Sequence, residues 1–343
     1  MLWPGYKTIP TGRLREHREN HYIYRKNILY FSLRILFPLF PAGYYKISDY
    51  PNGPNHFILY PGRKDPPKSN CREMCMYFNI KTEDLGRDAK IPLLVLGDSA
   101  EVFYEIALEM INTIKENNNR SKPTVYICPV GPVGQYPIFV RLVNQNRISL
   151  KNVWFINMDE YLNDDDSYID ISHKLSFRGF MEKNVYSKID SSLVMPAAQR
   201  IFPDPQNTGH IQKTIDSLGG VDICFGGIGI NGHLAFNEAE DVPAAEFRTR
   251  PARVLSIAAE TRITNAAGDL GGAIDLMPER CVTVGMKEIL SAGKIRLGVF
   301  REWHRAVVRK AAYGEITARF PASLLQEHPD VKIYVNNVAA QLP

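Results

Sequence analysis

Val221-Asp222-Ile223-Cys224-Phe225-Gly226-Gly227-Ile228-Gly229-Ile230-Asn231-Gly232-His233-Leu234-Ala235-Phe236-Asn237-Glu238 is the stretch whose reading decides the fold. Val221–Phe225 is short, apolar and β-branched, which predicts a buried strand. The glycines that follow can turn backbone N–H groups toward a ligand, because glycine tolerates positive φ. A strand running into such a turn is the signature of an α/β sheet with its ligand site at the strand ends. The same loop carries an imidazole, His233, and a carboxylate, Glu238, which is a pairing suited to proton transfer.

Working outward, the rest of the body repeats the pattern. Leu93–Leu96 reads as a buried strand, and Asp98 and Ser99 as the cap of a helix running to about Asn117. Thr124–Cys128 is a second strand leading into Pro129–Tyr136, a turn before another helix. Val153–Ile156 is a third, and it runs into Asn157-Met158-Asp159-Glu160-Tyr161. Helices are expected near Ser176–Tyr186, His210–Leu218 and Glu302–Tyr313, and strands at Lys294–Phe300 and Val331–Val335. Alternating strands and helices predict a three-layer α/β fold, a largely parallel sheet flanked by helices in the Rossmann-like manner. The loops after Cys128, Ile156 and Phe225 then meet at one site, far apart in sequence as they are.

The first ninety residues differ. They are rich in Arg, Tyr and Pro and show no helix or strand period. The segment 1–90 therefore reads as an extension without a core, either disordered or a gene-model artefact with translation starting at Met74 or Met76. The body is then 91–343. The apolar run Ile28–Phe40 contains Arg34 and Pro38 and falls short of the roughly 20 apolar residues that a spanning helix needs. No membrane association is expected. The chain has 343 residues and a net charge of +4, too small an excess to imply nucleic-acid binding. The five cysteines form no metal-binding pairs of motifs, and their placement favours a reducing, cytoplasmic setting.

Taken alone, Asp159 and Glu160 fit a helix cap as well as a general base, and His233 fits a structural role as well as a catalytic one. Together, Asn157–Tyr161 and Gly226–Glu238 resemble the two signature segments of glucosamine-6-phosphate deaminases. Glu260-Thr261-Arg262-Ile263-Thr264-Asn265-Ala266, Cys281–Met286 and Phe320–Leu325 with His328 resemble that family's other segments. The similarity runs from about Ile91 to the C-terminus.

The resemblance implies a sugar-phosphate isomerase type of fold and a cofactor-free, metal-free reaction. An amino-sugar phosphate is opened, its C2 proton is removed, and ammonia is released from the resulting ketose imine. By position, Asp159 is the C2 base and His233 assists ring opening, with Asn231 and Glu238 orienting and tuning it. The substrate-binding set implied is Gly131, Gly134, Glu160, Gly232, Arg262 and His304. Family members are often homo-oligomers, so a homo-oligomer is expected, with a small sugar phosphate as its only other partner.

The sequence departs from the family pattern at the phosphate end. Val130-Gly131-Pro132-Val133-Gly134 has no hydroxyl, and Pro132 has no N–H. His304 stands where a lysine is usual, so either Arg301, Arg305 or a helix N-terminus compensates or the substrate differs. The arginines of Arg248-Thr249-Arg250 survive, but Pro251 and Ala252 follow where a basic residue is usual, which argues against allosteric activation. The stretch Leu162–Leu175 looks longer than the family loop. Two further readings stand beside the deaminase: a 6-phosphogluconolactonase-like hydrolase and an inactive sugar-phosphate sensor. The Asn237-Glu238 ending favours the deaminase over the lactonase.

Overall fold

The computed structural model describes residues 76–343. The expectations for residues 1–75, including those about the start of translation, lie outside the described residues. Residues 76–90, grouped with the extension on sequence grounds, belong to the body. Thr82 Oγ1 donates to Ala340 O, Gly86 N to the Tyr313 hydroxyl and Lys90 N to Ala312 O. Leu85 and Ile91 are buried in the core.

The main sheet has seven strands: β1 (Leu93–Leu96), β2 (Thr124–Cys128), β3 (Val153–Asn157), β5 (Arg200–Ile201), β6 (Ile223–Gly226), β9 (Lys294–Val299) and β10 (Val331–Asn336). Their order is β1-β10-β9-β6-β2-β3-β5 and every pairing is parallel. Helices cover both faces: α1 (Ser99–Asn119), α2 (Gln135–Gln145), α3 (Phe177–Asn184), α4 (His210–Ser217), α5 (Ala244–Phe247), α6 (Ala259–Asp269), α7 (Met286–Leu290), α8 (His304–Tyr313) and α9 (Asn337–Ala340).

The period-two alternation of a strand divides the core. Val125 and Ile127 of β2 join the apolar cluster that includes α4, α7 and α8, while Tyr126 and Cys128 join the one containing α1 and α2. Sequence pattern placed six of the seven strands within about two residues of their observed limits and missed the two-residue β5. The cap of α1 is as expected: Asp98 accepts from Glu101 N at 2.9 Å, and Glu101 accepts from Gly97 N at 2.8 Å. These bonds satisfy donors that a helix start would otherwise leave bare.

Several expectations are corrected. Leu93–Leu96 is a sheet edge rather than a buried strand. Among the described residues it pairs with β10 alone, and Leu94 and Val95 are each 38% exposed. Asp159 and Glu160 do not face solvent: both are buried and open β4 (Asp159–Leu162), and of the two Glu160 alone meets a helix start, that of α3. β4 belongs to a second, antiparallel sheet ordered β4-β8-β7, with β7 at Arg253–Ser256 and β8 at Arg280–Thr283. The closing segment is a 3₁₀ helix over Pro321–Glu327. Tyr161, Phe236 and Cys281 pack with Phe177 beneath the small sheet in a third, smaller apolar cluster.

Candidate active site

The strands β9, β6, β2 and β3 are neighbours, so the loops leaving their C-terminal ends open at one place. These loops and the inner face of α6 enclose a cleft. Pro129–Pro132 follows β2, Met158 and Asp159 follow β3, Gly227–Ile230 and His233 follow β6, and Phe300, Arg301 and His304 follow β9. Thr261, Thr264 and Asn265 face it from α6, and Phe177 and Phe236 supply apolar wall.

Asp159 is held in the cleft by its place in β4, where it pairs with Thr283. It is 7% exposed, and burial, reinforced by the neighbouring Glu160 charge, raises its pKa well above the ordinary carboxylate range. A carboxylate in that condition binds a proton more readily than one in water.

The glycines shape the second half of the site. A Cβ on Gly229 would fall 1.9 Å from the His233 ring, so only glycine lets the imidazole lie against the backbone. Gly232 has φ of +84° and closes the turn, its amide donating to Gly229 O at 2.9 Å. The ring is then locked. His233 Nδ1 lies 2.8 Å from Asn231 Oδ1, and Asn231 Nδ2 donates to Glu238 Oε2 at 2.8 Å. The Thr261 hydroxyl lies 3.1 Å from Glu238 Oε2 and 3.2 Å from His233 Nδ1. An amide oxygen can only accept, so Nδ1 carries the proton and Nε2 is the basic nitrogen left for a substrate. Burial alone would raise the Glu238 pKa. Its contacts with His233, Asn231 and Thr261 outweigh that and hold the carboxyl below its ordinary value.

Asp159, Asn231, His233 and Glu238 are thus brought together as one constellation, and Gly131 borders it with open space beside its Cα. Other expected substrate contacts lie elsewhere. Glu160 is fully buried and caps α3, accepting from Phe177 N and Arg178 N at 2.9 Å each and from Ser176 Oγ at 3.0 Å. Gly134 caps α2 with Phe103 packed against it, and Gly232 serves its turn rather than the cleft wall. Arg262 is paired with Glu279 at 2.7 Å and is not among the cleft residues.

His304 borders the cleft but cannot replace a lysine. Its Nδ1 accepts from Phe300 N and Arg301 N at 3.0 and 2.9 Å, and Nε2 donates to Ile228 O at 3.0 Å. Burial lowers its pKa to about 3, so it is a neutral brace between two loops. Arg305 donates to Val338 O, away from the cleft. Arg301 is the one arginine or lysine among the described residues lining the cleft.

Residue reasoning passed over Thr261 and Asn265. Both lie in the quoted segment 260–266, and a helical period there would have put them on one face. Asn265 Nδ2 donates to the Tyr161 hydroxyl at 3.0 Å, linking α6 to the strand that carries Asp159.

The parallel sheet and the carboxylate–imidazole cleft define an enzyme of the sugar-phosphate isomerase class. No family model matches the chain. A glucosamine-6-phosphate deaminase of Bacillus velezensis is 33% identical over 246 residues, covering 69% of this chain and 95% of its own length. Glucosamine-6-phosphate deaminase 1 of Bacillus subtilis is 32% identical over 220 residues, covering 62% of this chain and 83% of its own. A solved monomeric glucosamine-6-phosphate deaminase of the NagB superfamily superposes with a TM-score of 0.64 at 27% identity, over 73% of this chain and 99% of its own. The chain belongs to the glucosamine-6-phosphate deaminase family. A 6-phosphogluconolactonase from Trypanosoma cruzi, at 16% identity and a TM-score of 0.54, shares the fold.

Proposed function

We propose that this enzyme converts an amino-sugar phosphate such as glucosamine 6-phosphate to the ketose phosphate, fructose 6-phosphate, with release of ammonia. The observation that carries the reading is that Asp159 and His233, the latter held by Asn231 and Glu238, border the same cleft as Arg301. His233 Nε2 takes the proton of the sugar's anomeric hydroxyl and delivers it to the ring oxygen as the bond from C1 to that oxygen breaks. Asp159 then removes the C2 proton, which is acidic because C1 is now a carbonyl. The proton returns at C1 and a proton of the amine passes to the C1 oxygen, giving a ketose imine with a C1 hydroxyl. Water adds to its C2 carbon and ammonia leaves, so the net change consumes one water and releases one ammonia.

Arg301 is the anion anchor in this reading. A phosphate needs charge-assisted donors, and neither His304 nor Arg262 is free to supply them. The test is ammonia release from phosphorylated and unphosphorylated amino sugars, with Asp159→Asn as control. The Arg301→Ala variant is expected to raise KM about tenfold or more for glucosamine 6-phosphate while leaving the weak rate with glucosamine alone unchanged. No ammonia from any sugar, with tight binding of one, would instead mean a sensor. A lactonase assay on the same preparation excludes or establishes hydrolysis.

The cytoplasmic setting and homo-oligomeric state are part of the same proposal. The buried thiols of Cys128, Cys224 and Cys281 support a reducing compartment. Among the described residues no helix is long and apolar enough to cross a membrane. A monomer exists among the structural relatives, so the mass in solution decides the oligomeric state.

A further inference from the structure

We infer that Thr261 is a positioning residue of the proton-transfer pair: its hydroxyl fixes Glu238 and, through it, the protonation of His233. The inference rests on the reading of His233 as an acid/base group. Thr261 is 1% exposed and stands in the first turn of α6, so its place is set by a different element from the loop that it touches. Its hydroxyl has one proton and two lone pairs. Glu238 Oε2, 3.1 Å away, is the acceptor for that proton, and His233 Nδ1–H, 3.2 Å away, faces a lone pair.

Asn231 makes this matter. It bridges His233 and Glu238 as a neutral amide, so the negative charge nearest the ring belongs to Glu238, whose Oε2 is 3.4 Å from Nδ1. Two donors, Asn231 Nδ2 and Thr261 Oγ1, share that oxygen and soften its pull on the ring. The remaining charged groups bordering the cleft are Asp159 and Arg301. Removing the hydroxyl leaves the carboxylate with one donor fewer. The carboxylate then attracts the Nδ1 proton more strongly across the 3.4 Å between them.

The test compares Thr261→Val, which keeps the shape and loses the hydroxyl, with Thr261→Ser, which keeps the hydroxyl. In the ligand-free protein, the ¹⁵N resonances of His233 are titrated by NMR. Valine is expected to raise the midpoint by about half a unit or more, and serine to hold it at the wild-type value. With substrate, valine is expected to lower kcat about tenfold with little change in KM, and to move the His233-dependent limb of the pH profile upward. An unmoved His233 midpoint in Thr261→Val, or a serine variant that behaves like valine, overturns the inference. Should valine not fold, Thr261→Ala is read by the same criteria. The NMR arm needs no substrate, so it stands or fails apart from the proposed reaction.

Discussion

At the scale of single residues, the cleft sets the needs of chemistry against those of stability. Asp159 is buried with no basic partner among the described residues, and desolvation raises its pKa. Because the folded value lies above the unfolded one, near 4, Asp159 costs the fold least at low pH. Stability is lost as the pH climbs through the folded value. Asp159→Asn is therefore expected to melt a few degrees higher than the parent at neutral pH while losing about a thousandfold in ammonia release. Calorimetry beside a coupled ammonia assay checks both, and a lower melting temperature would contradict the desolvation argument. The acid limb of kcat/KM should likewise lie above the ordinary carboxylate range. Sequence reading found this residue, His233 and Glu238 because they sit in contiguous signature segments. It could not see that Arg262 spends its charge on Glu279 or that His304 is braced by two backbone amides. Those are outcomes of tertiary packing, and nothing local in the sequence encodes them.

At the scale of elements, Asp159 and Glu160 show how strand geometry separates two adjacent carboxylates. Side chains alternate across a strand, so as β4 presents Asp159 to the cleft it turns Glu160 into the protein, where it holds the start of α3. The pair looked alike in sequence because the small sheet of β4, β8 and β7 joins segments far apart in the chain. Such antiparallel pairings carry only a weak signal in strands of four residues each. The main sheet was legible because its central strands are buried on both faces and read as continuous apolar runs. Glu160→Gln is expected to destabilise the enzyme by about 2–3 kcal/mol, since an amide nitrogen would face donors that now meet carboxylate oxygens. Urea unfolding measures the loss. Removing the Glu160 charge also removes one cause of the raised Asp159 pKa, so the acid limb of the pH profile should move down. A limb that stays in place would mean that burial alone sets it.

At the scale of the whole molecule, the ends of the described chain are joined beneath α8 chiefly through one side chain, with Thr82 Oγ1 adding a bond to Ala340 O. Arg309 is fully buried and its acceptors are all backbone carbonyls: Ile80 through Nε and Nη2, Arg305 and Gln341 through Nη1, and Ala340 through Nη2, at 2.8–3.0 Å. The guanidinium thus ties the segment entering the sheet, the helix below the cleft and the C-terminal turn. The sequence gives no hint of this, since a lone arginine in an amphipathic helix ordinarily reads as surface. A charge buried without a counter-charge is tolerated only where dipoles replace its water, and these carbonyls fill that role. Arg309→Leu fits an apolar helix face but takes a charged donor from four carbonyls, of which Ala340 O keeps Thr82 Oγ1, for an expected cost of about 3 kcal/mol or more. The loss should be local first. Amide exchange at residues 80–86 and 337–341 should accelerate before that of β2 or β6, because the central strands keep all their partners. His304 lies on the same helix but is braced independently by Phe300, Arg301 and Ile228, so the catalytic constants of the folded fraction should stay within about twofold of the parent's. Uniform acceleration across the sheet would show instead that Arg309 supports global stability rather than joining the chain's ends.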